Sequence, residues 1–265
     1  MSLLGALGFS TFNLPGWQKK KTDPFKGFKI GVQTYSFREF TFEEAIQKTR
    51  QLGLKYIEPY EDQFSFSSTE EEIAAALKVI ESYGAKSVAY GVVGFDADEV
   101  KNRQLFEFGK KIGVESLSAH PIPEAFDSLE KLVAEYNINI AIHNHGPGSD
   151  YDKLQDVLNA VKDHHWRIGA CVDTGHFLRS DEDPAMVIRE LGKRVHGVHL
   201  KDVTQKKQES ILGQGMLNLT EVFKALKAIK FSGPLSIEYE GSPENPSPDM
   251  EMGMKAILES LTQIS

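Results

Sequence analysis

Cysteine is almost absent: Cys171 is the single one in 265 residues. That excludes an intrachain disulfide framework, and it leaves the redox compartment open. Long apolar runs are missing too, and nothing approaches the ~20 residues that a membrane-spanning helix needs. Positive charge is in deficit, with 30 Lys and Arg against 38 Asp and Glu for a net charge of −8 and a pI near 5.6. No basic stripe interleaved with aromatics offsets this, which argues against nucleic acid and anionic membranes as partners. The first strand-to-helix turn reads S-F-R-E-F and has no G-x-G-x-x-G, so a dinucleotide-binding sheet is disfavoured.

What the chain does have is size and alternation. A 40% hydrophobic content suffices for a large core, and the length is near that of one β/α barrel. Strand-like runs alternate eight times with helix-period segments: 29–37 with 41–53, 56–60 with 69–84, 85–95 with 98–113, 114–120 with 124–136, 138–145 with 151–166, 168–176 with 184–193, 195–202 with 219–230, and 234–240 with 250–264. Thr69 and Glu72 read as a capping box, Gly113 as a helix end, and Pro184 as a first-turn residue. Eight pairs without a linker break predict a single-domain (β/α)8 TIM barrel over residues 28–265, behind a leader at 1–27. Residues 2–13 (S-L-L-G-A-L-G-F-S-T-F-N) read either as an extra helix plugging the barrel bottom or as the apolar part of an export signal. The protein is then cytoplasmic on the first reading and periplasmic on the second.

Polar residues gather where the later strands end. The sixth run breaks into D-T-G-H, the fifth into H-N-H, the seventh into H-L-K-D and the eighth into E-Y-E. Chemistry in β/α barrels is assembled at that rim. Alternation along a strand pairs His143 with His145, His199 with Lys201, Glu238 with Glu240, and Glu58 with Tyr60 on common faces. An inward set of His143, Asp173, His199 and Glu238 brings two imidazoles and two carboxylates together, a donor set for one divalent ion such as Mn, Zn, Co, Fe or Mg. Its charge of −2 balances the ion, and His145 stands as the alternative fifth-strand ligand. Cys171, inside an apolar run, reads as a buried small residue.

G-V-Q-T-Y-S-F on the first strand, V-D-T-G-H, H-L-K-D, L-G-Q-G at 212–215, and S-I-E-Y-E on the last strand carry a resemblance. In their order and spacing the chain resembles the xylose-isomerase-like barrel superfamily, in its sugar phosphate isomerase/epimerase branch. That resemblance implies a metal held by Glu, Asp, His and Glu on strands five to eight, and it carries onto Asp173, His199 and Glu238. Strand five departs from it: His143, in A-I-H-N-H-G, stands where ketose 3-epimerases of the family have Glu. A metal-bound imidazole has committed its lone pair and is a poor base, so the two-glutamate proton exchange of those epimerases is in doubt. For some family members carrying this variation the resemblance implies action on oxidised (keto) sugars or cleavage of glycosides by elimination.

The expected activity is that of a divalent-metal-dependent sugar isomerase or epimerase, working on a small carbohydrate by proton transfer α to a carbonyl through an enediolate. A lyase acting on 3-keto sugars or glycosides is the alternative, followed by a non-catalytic sugar-binding barrel and an abasic-site endonuclease. Glu238 is the expected base, with His145 or Lys201 for the second proton transfer; His145 is chosen because an ordinary imidazole titrates near neutrality. His176, Glu58, His120, Tyr35 and Glu240 are expected to touch substrate, with orienting a histidine the alternative for Glu58, stabilising its turn that for His176 and a structural role that for His120. Gln33 and Arg38, with Tyr35 at the end of the first strand, are placed to line the same pocket. Lys201 could equally form an ion pair with Asp202 or Glu240. His164, His165 and Trp166 read as structural residues of the barrel bottom, and 212–215 as a closing loop or hairpin.

Overall fold

The structure is a computed structural model and describes residues 23–264; the apolar leader segment 2–13 lies outside the described residues. Eight barrel strands follow one another: β1 (Lys29–Gln33), β2 (Tyr56–Glu58), β3 in two pieces (Lys86–Ser87 and Ala89–Phe95), β4 (Ser116–Pro121), β5 (Asn139–His143), β6 (Ile168–Asp173), β7 (Val195–Leu200) and β8 (Pro234–Ile237). All pair in parallel. β8 returns to β1 from Lys29↔Pro234 to Val32↔Ile237, and the two pieces of β3 close the ring, the first on β2 and the second on β4. This is the (β/α)8 barrel expected.

The helices are α1 (Phe42–Gln51), α2 (Glu70–Ser82), α3 (Glu99–Ile112), α4 (Phe126–Tyr136), α5 (Leu154–Val161), α6 (Thr174–Arg179), α7 (Pro184–Leu191), α8 (Leu219–Ala228) and α9 (Ser247–Thr262). The Thr69/Glu72 capping box opens α2. Gly113 ends α3 in the left-handed conformation at φ 78°, which costs a glycine nothing. Pro184 begins α7. Among the described residues no helix is long and apolar enough to cross a membrane.

Several runs end earlier than the apolar pattern suggests. The strand read at 29–37 stops at Gln33, whose side chain accepts from Tyr35 N at 2.8 Å and starts a 3-10 turn, Thr34–Phe37. The strand read at 168–176 stops at Asp173, whose carboxylate caps α6 by accepting from His176 N. The helix read at 151–166 shrinks to α5, because Glu130 Oε1 accepts from both His164 Nδ1 at 2.8 Å and His165 N at 2.7 Å and turns that segment under the barrel. Past β7 the chain makes an unexpected antiparallel ribbon of Asp202–Val203 with Glu209–Ser210.

Large apolar side chains fill the layer between strands and helices, where Tyr90, Phe37, Phe95, Phe106 and Phe177 are fully buried. Inside the ring the residues are small. A Cβ on Gly197 would sit 3.4 Å from Cys171 Sγ and 3.8 Å from Ala141 Cβ, and the Ser118 and Ser236 hydroxyls reach Glu58 across the interior. Small fillers leave room in the upper barrel for polar side chains of full length.

Candidate metal centre

β5 to β8 end at one height: His143 pairs with Cys171 across β5 and β6, Asp173 with His199 across β6 and β7, and Ser236 with His199 across β7 and β8. Parallel register thus sets four donors side by side. One ligand atom from each of His143, Asp173, His199 and Glu238 lies within 4.8 Å of the others, and all four residues are buried. His143 Nε2 is 3.0 Å from His199 Nδ1, and that nitrogen is 2.9 Å from Glu238 Oε2. Asp173 spends Oδ1 on His176 N at 2.7 Å, while its Oδ2 is buried without a hydrogen-bond partner, with His143 Nε2 and Lys201 Nζ each 3.5 Å away. A buried carboxylate oxygen that accepts no hydrogen bond is costly in an interior. Beside two imidazole nitrogens and a second carboxylate, it fits a divalent cation.

The surroundings orient these donors. Glu58, expected to orient substrate or a histidine, lies beneath the centre against His199: it accepts from Ser118 Oγ at 2.5 Å, Ser236 Oγ at 2.6 Å and His199 Nε2 at 3.1 Å. A carboxylate behind a ligating imidazole fixes its tautomer, here leaving the Nδ1 lone pair for the centre. Burial works to raise the Glu58 pKa, but His199 and the two hydroxyls hold it below the ordinary value. Asn144 clamps the Asp173 backbone, accepting from its N at 2.8 Å and donating to its O at 3.1 Å. Thr174 Oγ1 donates to Lys201 O at 2.6 Å and accepts from Lys201 N at 2.9 Å, stitching the ends of β6 and β7. Gly175 completes D-T-G-H sterically, since a Cβ there would stand 2.6 Å from Lys201 Cγ.

Lys201 is 1% exposed; its Nζ lies 3.3 Å from Glu238 Oε2 and 3.5 Å from Asp173 Oδ2, and it bonds Glu240 Oε1. Burial would lower its pKa, but the three carboxylates outweigh burial and raise it, so the side chain stays an ammonium. Asp202 is not its partner. Asp202 accepts from the amides of Val203, Gly213, Gly215 and Leu217, and so holds the L-G-Q-G segment as an anchored loop.

Above the donors opens a cleft of ≈ 400 Å³, lined by the expected Tyr35, His145, His176, Lys201, Glu238 and Glu240. Gln33, from the end of the first strand, and Tyr60, on the face of Glu58, line it too, with Glu61 and Asp62. Glu61 and Asp62 follow β2 in a turn with no motif to mark them. His120 stands one row back, its ring 5.5 Å from that of His145 and its Nε2 3.4 Å from Asp150. His145 lies past the end of β5, with Nδ1 3.4 Å from His143 Nδ1. Near-neutral titration does not hold for it: burial, then the neighbouring His143, pushes its pKa down to about 3. His145 is therefore a neutral ring in position to orient His143. Burial likewise lowers His176 to about 4. Arg179 and Glu209, both absent from the sequence reading, form a pair at 3.1 Å on the rim. Glu209 was hidden in the polar run Q-K-K-Q-E-S, but Arg179 stands three residues past His176, at helical spacing from it.

Residues 46–261 match the family described as xylose isomerase-like TIM barrel. An inosose dehydratase of Clostridium botulinum (strain Eklund 17B / Type B) is 24% identical over 246 residues, covering 84% of this chain and 80% of that protein. A D-psicose 3-epimerase crystallised in the presence of D-fructose superposes with a TM-score of 0.67 at 14% identity, covering 89% of this chain and 98% of that one. The IOLI protein, crystallised with a bound zinc atom, does so with a TM-score of 0.69 at 17% identity over 89% of this chain and 97% of that one. Likeness at such identities shows the fold alone, but the family match spans most of the sequence, and this chain is an enzyme of the xylose isomerase-like TIM barrel family.

Proposed function

We propose that the protein is a metal-dependent dehydratase of a small keto-polyol, removing a proton α to the carbonyl and expelling a β-hydroxyl as water. The observation that carries this reading is the imidazole on strand five. Nε2 of His143 faces the centre, so the donor set offers the cleft one carboxylate, Glu238, rather than two on opposite faces. His143, Asp173, His199 and Glu238 would hold the ion, which when bound supplies Lewis acidity that polarises the carbonyl and acidifies the neighbouring C–H.

The residues divide the remaining work. Glu238 is kept ionised: burial would raise its pKa, but the Lys201 ammonium and His199 hold it well below the carboxylate range. It takes the α-proton, and the electron pair moves onto the carbonyl oxygen. Lys201, protonated and fixed by three carboxylates, places positive charge beside that developing oxyanion. When the pair returns to form the carbon–carbon double bond, the β C–O bond breaks. The departing hydroxide takes the proton from Glu238 and leaves as water, restoring the carboxylate. One base on one face suffices for both transfers. The curated relative named inosose dehydratase supports this chemistry.

Epimerisation, the first expectation from the sequence, would return the proton from the opposite face and needs a second free acid–base group there. Of the two groups expected in that role, His145 turns a nitrogen to His143 and is held neutral, and Lys201 is held as an ammonium among Asp173, Glu238 and Glu240. The two activities separate in deuterated water with an inosose and with ketohexoses as substrates. Because the α carbon of an inosose bears a hydroxyl, a dehydratase yields a hydroxy-enone that tautomerises to an α-diketone, detected by the mass loss of one water. Recovery of an epimer labelled at the α carbon, without dehydration, would overturn the proposal in favour of the epimerase.

A further inference from the structure

We propose that Arg179, anchored by Glu209 of the ribbon, is a positioning residue that holds His176 in the tautomer with its proton on Nε2 and so makes that ring a fixed hydrogen-bond donor to a substrate oxygen in the cleft. The use of that donor rests on the keto-polyol reading above; the tautomer itself does not. Arg179 Nη1 lies 3.2 Å from His176 Nδ1. A guanidinium has donors only and stays charged in proteins, so Nδ1 must accept. The one proton of the neutral ring is then left on Nε2.

Arg179 is held at three points. Nη2 donates to Glu209 Oε2 at 3.1 Å, Nε to Lys207 O at 3.4 Å, and Nη1 to the imidazole. Glu209 in turn accepts from Glu240 N at 3.3 Å, which ties the ribbon to the end of β8. The Arg179 and Glu209 side chains are only 20% and 18% exposed, unlike the loosely held surface pairs that contribute little. His176 is fixed from below as well, its backbone N–H bound by Asp173 Oδ1. An oriented N–H at the cleft wall has two consequences. It can meet a carbonyl, hydroxyl or oxyanion lone pair, and it cannot ligate a cation. His176 therefore stays out of the donor set, although its ring is 5.7 Å from that of His143.

The test uses zinc-loaded full-length protein with ¹⁵N-labelled histidine and two-bond ¹H–¹⁵N correlation spectra. His176 should show an unprotonated Nδ1 and a protonated Nε2. In Arg179→Met the pattern should shift towards mixed tautomers, with Arg179→Lys restoring part of it and zinc content unchanged. Glu209→Gln, which loosens the anchor without removing the donor, should give a smaller shift and serves if Arg179→Met does not fold. On a turned-over substrate Arg179→Met should lower kcat/KM roughly 10-fold or more, the worth of a charge-assisted hydrogen bond. A proton on Nδ1 in the wild type, or spectra unchanged by every variant, would overturn the proposal. Because the spectra need no substrate, failure to turn over any keto-polyol would sink the functional reading and leave the tautomer assignment standing.

Discussion

Glu58→Gln isolates the carboxylate beneath the centre. Oε1 accepts from Ser118 Oγ and His199 Nε2, and Oε2 from Ser236 Oγ. Glutamine keeps one acceptor oxygen, so in either orientation its amide N–H meets a donor. The Ser236 hydroxyl can rotate away, but a proton on His199 Nε2 cannot. If the oxygen faces His199, the bond loses its charge-assisted part, about 1–2 kcal/mol from the difference between charged and neutral hydrogen bonds. If the amide faces His199, the ring is driven towards the other tautomer and its Nδ1 lone pair is lost to the centre. Both routes agree with the 10–100-fold loss of metal affinity usual when such a partner is removed, which is about 1.4–2.8 kcal/mol. Affinity for zinc measured by chelator competition is the deciding assay. Unfolding of the metal-free variant is less direct, because deleting a buried charge can itself stabilise. Since the Glu58 pKa is depressed in the fold, its stabilising contribution is present above the unfolded value of about 4.3 and fades as pH falls through the folded one. The affinity gap between wild type and variant should therefore be full at neutral pH. Wild-type zinc affinity in Glu58→Gln at pH 7 would refute the role assigned to Glu58.

Other substitutions probe separate parts of the site. His143→Ala should lose bound metal in elemental analysis while His145→Ala keeps most of it; the reverse result would make His145 the fifth-strand donor. Gly175→Ala drives a methyl into the stem of Lys201 and should cost roughly 1–3 kcal/mol in denaturant unfolding, and an unchanged midpoint would show that the stem has room. Asp202→Ala strips the acceptor from four loop amides; hydrogen exchange should accelerate at 213–217 and not in the barrel strands, whereas uniform protection would count against the anchor. At the barrel bottom, His196 donates to Trp166 O at 2.9 Å and is pushed by burial down to about 4. Its neutral form must charge on unfolding, so stability is lost as pH falls from about 6.5 through 4, by up to roughly 3 kcal/mol. His196→Gln should flatten that slope, and an unaltered slope would mean that other groups set it.

The barrel and the cluster of candidate donors were legible for different reasons. Strand–helix alternation reads directly because each element buries one face, and the period of that face is local. Asp173, His199 and Glu238 could be read because parallel strands of similar length end in register, so a donor at the end of each run meets its neighbours. The errors lie just beyond those ends. Apolar and aromatic residues such as Phe37 and Tyr239 continue the pattern after pairing has stopped, since burial against a helix or loop looks the same in sequence as burial in a sheet. Asp173 shows what arbitrates: a carboxylate that can cap the next amide row ends the strand, and D-x-x-H is an N-cap spacing as much as a ligand motif. Once α6 is recognised, Asp173, His176 and Arg179 fall three apart along it, and the guanidinium's reach to the imidazole follows from helix geometry. Glu209 had no such local marker. Its partners Arg179 and Glu240 lie 30 and 31 residues away, and only the ribbon that Asp202 begins brings them together. What stayed hidden is therefore the part of the site that depends on loops, where contact is set by tertiary closure rather than by any period in the chain.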